Sequence, residues 1–114
     1  MDFIDFQELK KRHPKDETFQ QDIVDTFIKR MPIYSHCLQT SLDREEMEEL
    51  LAYSCQLRGI AECCCIEEIQ KLCLQLDSEA QDNNLKAATL IFQDIRKILR
   101  CIQTQYPTNL SYLL

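Results

Sequence analysis

Apolar residues recur at steps of three and four along nearly the whole chain, the period of a helix with one buried face. Phe3, Phe6 and Leu9 mark a short first helix over about residues 2–12, capped by Asp2 and ended by His13-Pro14. A second helix is predicted over 16–42. Its stripe runs through Phe19, Ile23, Phe27, Met31, Tyr34, Leu38 and Leu42, and Pro32 is expected to bend it, since it has no amide for the Ile28 carbonyl. Asp43 is the expected N-cap of a third helix, 44–63, with Glu45 and Glu46 in the first turn, where the helix dipole favours acids. Its inward positions are Met47, Leu50, Ser54, Leu57 and Ala61; Glu48, Cys55, Arg58 and Glu62 turn outward. A fourth helix, 66–81, repeats Ile66, Ile69, Cys73, Leu76 and Ala80. Asp82-Asn83-Asn84 makes a turn and caps a fifth, 84–106, with Leu85, Ala88, Phe92, Ile95, Leu99 and Ile102 inward and a stop at Tyr106-Pro107. The pattern predicts one all-α domain over 1–114, an antiparallel up-and-down four-helix bundle with a short N-terminal helix. The tail 107–114 is expected to pack on it.

Composition narrows the function classes. One glycine and three prolines among 114 residues leave little turn material for a sheet. A formal charge of −6 argues against a nucleic-acid face, which needs clustered Lys and Arg. No apolar run is long enough to span a bilayer, so no membrane partner is expected. Seven cysteines are an odd count, and Met1-Asp2-Phe3-Ile4-Asp5 does not read as a secretory signal; a reducing cytoplasm is the expected location, with most thiols acting as small apolar fillers.

Residues that invite chemistry have plainer readings. Cys63-Cys64-Cys65 are adjacent and lack paired ligand spacing, so neither a metal nor another cofactor is expected; Cys65, with Cys64, reads as the buried part of a helix-to-helix turn. His36 and Cys37 are neighbours that point in different directions on a helix, and His36 reads as solvated. Cys55 has no histidine near it in sequence and no glycine-rich loop to hold an oxyanion, so the chain is not expected to be an enzyme.

Cys55, Arg58 and Gly59 stand at i, i+3 and i+4 and share a helix face, and Gly59 is the only glycine in the chain. A glycine inside a helix costs about 1 kcal/mol relative to alanine. The run Cys55-Gln56-Leu57-Arg58-Gly59 resembles the signature of histidine-containing phosphotransfer (HPt) domains, in which His, any residue, Leu, Lys and Gly follow one another. Leucine and glycine match, arginine replaces lysine, and Cys55 stands where the phospho-acceptor histidine belongs. The likeness runs from about Phe3 to Ile102. Phe19 to Leu42, with Pro32, is similar to the family's long second helix, and Cys65 to Leu76 to its fourth, with Cys65 where the family commonly turns on a second glycine.

The resemblance implies a docking module of two-component signalling that lacks the histidine. It would bind a response-regulator receiver domain or a histidine kinase as inhibitor or adaptor, without relaying phosphate. Arg58 is similar to the family lysine that faces a receiver's acidic pocket, Gly59 keeps the surface low, and Tyr53, Gln56, Ile60 and Glu62 flank the position. Two other readings remain. One is an active phosphocarrier using His36, although counting back from the turn near Asp43 places Met31 level with Cys55 and His36 roughly 7 Å further along the axis. The other is a structural, self-associating bundle.

Overall fold

The computed structural model describes residues 3–106, which hold five α-helices and no strand. These are α1 (Phe6–Arg12), α2 (Glu17–Asp43), α3 (Met47–Cys63), α4 (Glu67–Gln81) and α5 (Leu85–Gln105). Successive helices pack side by side, α2 on α3, α3 on α4 and α4 on α5, and α2 also meets α5. α1 lies against α2. The expected tail packing lies outside the described residues, as does Asp2.

Three of the helix starts are capped by side chains. Asp5 accepts from the Glu8 amide at 3.0 Å, Asp16 from Phe19 at 2.9 Å and Asn84 from Ala87 at 3.3 Å. α1 therefore starts later than its apolar spacing suggests. Ile4 inserts into the core, only 1% exposed, and the Asp5 amide donates to the Cys65 carbonyl at 3.1 Å, so the chain is fixed before helix begins. Asp43 does not cap α3. It is the last residue of α2, and the N-cap is Glu46, which makes no side-chain cap bond.

The reason is a turn geometry used three times. Glu45, Cys65 and Asn83 adopt left-handed backbone with φ of 54°, 57° and 58°. In each turn two amides fold back onto the helix just ended. Glu45 N donates to Leu42 O at 3.1 Å and Glu46 N to Ser41 O at 2.9 Å; Cys65 and Ile66 do the same to Glu62 and Ala61, and Asn83 and Asn84 to Ala80 and Glu79. This pair of bonds is the Schellman motif. The residue after the left-handed one then begins the next helix, so only three residues separate consecutive long helices.

The inward stripes read from the sequence form the core. Phe27, Met31, Leu38, Leu50, Leu57, Ile69, Cys73, Leu76, Ala88, Ile95 and Ile102 are completely buried or nearly so. Phe19 departs from its stripe at 43% exposed, because it sits in the first turn of α2 and packs edge-on against His13, with ring centroids 4.6 Å apart. Pro32 lies inside an uninterrupted α2.

Left-handed backbone costs a residue with a Cβ on the order of 1–2 kcal/mol, while glycine gives up more freedom on folding. Glu45 is exposed and makes no ion pair among the described residues. Glu45→Gly is therefore expected to raise stability by about 0.5–1 kcal/mol and the melting temperature by several degrees in a thermal scan. A lowered melting temperature would contradict this turn geometry.

Candidate functional site

The centre of α3 presents three kinds of surface. Leu50, Ser54, Leu57 and Ala61 are buried, and the buried Ser54 hydroxyl donates to the Cys73 carbonyl of α4 at 3.2 Å. Tyr53 and Ile60, half-buried, pack against the core cluster at the edges of the helix. Cys55, Gln56, Gly59 and Glu62 are exposed.

Cys55 leans on α4. Its Sγ lies 3.8 Å from Asp77 Oδ2 and 4.0 Å from Arg58 Nη2, and Arg58 Nη1 is 3.5 Å from the same Asp77 oxygen. The three side chains thus close a small polar triangle across the α3–α4 seam. Asp77 is only 8% exposed, and its Oδ1 is buried with no hydrogen-bond partner among the described residues. A buried carboxylate needs a cation, and Arg58 supplies it. The guanidinium that the resemblance would turn toward a partner is here held by its own chain.

Gly59 is in ordinary helical backbone, and nothing lies within 4 Å of where a Cβ would stand. No turn and no close intrachain contact calls for glycine at this position. Its cost of about 1 kcal/mol is not recovered inside the molecule.

Cys55, Arg58 and Gly59 lie on one stretch of α3 with Gln56 and Glu62 exposed beside them, but Arg58, read as outward, is half-buried because Asp77 draws it onto α4. Sequence reading missed Asp77. The signal was present: Asp77 is four residues after Cys73 and three before Ala80, both core positions, so its carboxylate had to be near-buried and in want of a cation.

Tyr53 corrects the register expected for α2. The Cys37 thiol beside it, with burial, Glu49 and Glu46 adding, holds the phenol above its ordinary value. Cys37 and Tyr53 stand equally far along the chain from Glu45. Ser35, not Met31, is then level with Cys55, and His36 is about one residue's rise away, roughly 1.5 Å. Axial distance does not separate His36 from Cys55; direction does. His36 is exposed on α2, whereas Cys55 faces α4.

The cysteines divide by environment. Cys63 is exposed, while Cys64 and Cys65 are buried in the turn, Cys64 donating to the Ile23 carbonyl at 3.5 Å. Burial pushes the Cys64 and Cys73 thiols up to about 12; at Cys73 the Ser54 hydroxyl opposes the rise and the Asp77 carboxylate adds to it. A separate cleft of about 560 Å³ lies between α1 and the start of α4, lined by Phe3, Phe6, Glu8, Arg12 and Glu68 among others. Among the described residues no helix is long and apolar enough to cross a membrane. No family model, curated protein or solved structure matches the chain.

Two outcomes follow from these environments. Arg58→Leu strands the Asp77 carboxylate and is expected to cost about 1–2 kcal/mol, a figure reduced because Arg58 is partly exposed. Asp77→Asn leaves Arg58 free to reach water and should cost less than about 1 kcal/mol. Urea denaturation of the two variants checks the order, and equal losses would contradict the triangle.

Alkaline pH should also weaken the fold. In the unfolded chain the Cys73 thiol ionises near 9.0, while in the folded chain it holds its proton to about 12. Its contribution is complete below 9.0 and is lost as pH rises from there toward 12. Cys73→Ala should flatten the fall in urea midpoint between pH 9 and pH 11; an unchanged slope would count against a buried neutral thiol.

Proposed function

We propose that this chain is an HPt-like docking module of a two-component signalling pathway, without the phosphorylatable histidine, acting in the cytoplasm. In this reading the helices form an antiparallel up-and-down four-helix bundle with a short N-terminal helix. The exposed face of α3 binds a receiver domain or a histidine kinase, and the effect comes from occupancy, with no phosphate relayed. Gly59 carries the reading: an unsupported glycine in mid-helix, on an exposed face, next to the position the resemblance assigns to the acceptor. Such a residue is explained by a partner backbone that comes close.

Two further observations support it. Cys65, where the family commonly has a second glycine, adopts left-handed backbone with φ 57°, the conformation that favours glycine. Cys55 is solvent-accessible on the third of the five helices, as an acceptor position must be. Its thiol offers a receiver no imidazole to phosphorylate.

Gly59→Trp places bulk on the low ground of this face. It is expected to abolish association with candidate receivers and kinase dimerisation domains in calorimetric titration, while Gly59→Ala leaves helicity intact and raises stability by about 0.5–1 kcal/mol. A partner that binds Gly59→Trp as tightly as the parent would remove α3 from the interface.

A further inference from the structure

The end of α5 delivers the chain to the cleft between α1 and the start of α4. Tyr106 closes that helix with φ −126° and ψ 67°, off the helical path, and its ring meets Phe6 edge-on with centroids 5.6 Å apart. Phe6 in turn lines the cleft, together with Phe3. The next residue is Pro107, which has no amide to donate to the helix just ended and favours extended backbone at the residue before it. Residues 107–114 therefore start beside a cleft of about 560 Å³, and eight residues reach at most roughly 29 Å when fully extended.

Segment and cleft agree in chemistry. Phe3 and Phe6 are half-buried rings packed on the core cluster, so part of each ring remains uncovered. Leu110 and Tyr112 stand two residues apart, and an extended chain turns such a pair to the same side. The charged groups of the cleft wall are mostly acids. Glu8 is held by Arg12 at 3.6 Å and Glu67 by Lys71 at 3.8 Å, while Glu68, half-buried, makes no ion pair among the described residues. An acidic occupant would be repelled. Residues 107–114 carry no charged side chain, and Thr108, Asn109 and Ser111 offer neutral donors that a carboxylate can accept. Tethering favours this occupant over any other. A segment attached at Tyr106 meets the cleft at an effective concentration on the order of millimolar, ahead of a separate molecule of like chemistry.

We infer that residues 107–114 fold back into the cleft between α1 and α4, with Leu110 and Tyr112 against Phe3 and Phe6 and neutral donors meeting the carboxylate of Glu68. The cleft is then occupied by its own chain, and an outside peptide reaches Phe3 and Phe6 only by displacing that segment. The inference is independent of the docking reading, since the exposed face of α3 takes no part in it.

The test uses the whole chain, isotope-labelled, and reads nuclear Overhauser contacts together with amide exchange. Contacts are expected from the Leu110 methyls to the rings of Phe3 and Phe6. Leu110→Ser combined with Tyr112→Ser should remove them and speed exchange of the Asp5 amide about tenfold, because that amide ties the N-terminal segment to the Cys65 carbonyl beside the cleft. The signals of Cys55 and Gly59 should stay in place, and Leu90→Ser, at an exposed leucine on α5, should change neither reading. In a mixture of labelled and unlabelled chains the contacts should remain within one chain; contacts between chains would give the cleft to a second copy and overturn the inference. Leu110 methyls that touch neither ring, or that touch the α3 face around Gly59 instead, would overturn it as well. So would an Asp5 amide that exchanges equally fast in the parent and the double variant.

Discussion

Three residues in left-handed backbone decide how the four long helices meet. Glu45, Cys65 and Asn83 each reverse the chain within one residue and hand it to the next helix at the following position. Links this short leave almost no freedom in register. Once α2 ends at Asp43 and α3 begins at Met47, the level at which Cys37 finds Tyr53 is set, and α4 is placed likewise so that Cys73 meets Ser54. The Cys55–Arg58–Asp77 triangle depends on the second of these turns. Slide α4 by one residue and Asp77 rotates by about 100° away from the arginine it needs.

Only one of the three left-handed positions carries a side chain suited to it, Asn83; glutamate and cysteine occupy the others. Cys65 offsets its conformation by burying its side chain, and its neighbour Ile66 is fully buried beside it. The turn is held by what it inserts into the core more than by local preference. At Glu45 the side chain is exposed, and packing supplies no such compensation.

The helices were legible because their apolar stripes are nearly unbroken: every position read as inward on α4 is buried, and on α5 all but the half-buried Leu85. Helix starts were less legible. Asp2 and Asp43 are good caps by residue type, yet Ile4 and the turn at Glu45 move both boundaries downstream. Propensity cannot register a constraint imposed by a residue buried against another helix. The same limit hid the pairing of Arg58 with Asp77. Cys55, Arg58 and Gly59 share one face of one helix, so spacing revealed them; Asp77 comes from the next helix, where spacing shows its burial, and which cation meets it appears only when the two are docked. The level of His36 was misjudged for the related reason that the turn is reached later than Asp43.

The shortest helix makes some of the longest connections. α1 has seven residues, yet Arg12 reaches the Glu62 carbonyl 50 positions away, and the Asp5 amide reaches Cys65. Neighbouring long helices meet across three-residue turns, so their contacts close small loops and can form early, whereas docking of the N-terminal segment must close a loop spanning more than half the chain. Its release would uncover Cys65 and the start of α4 while leaving the α3–α4 seam intact, giving the molecule a partly open form distinct from the unfolded chain.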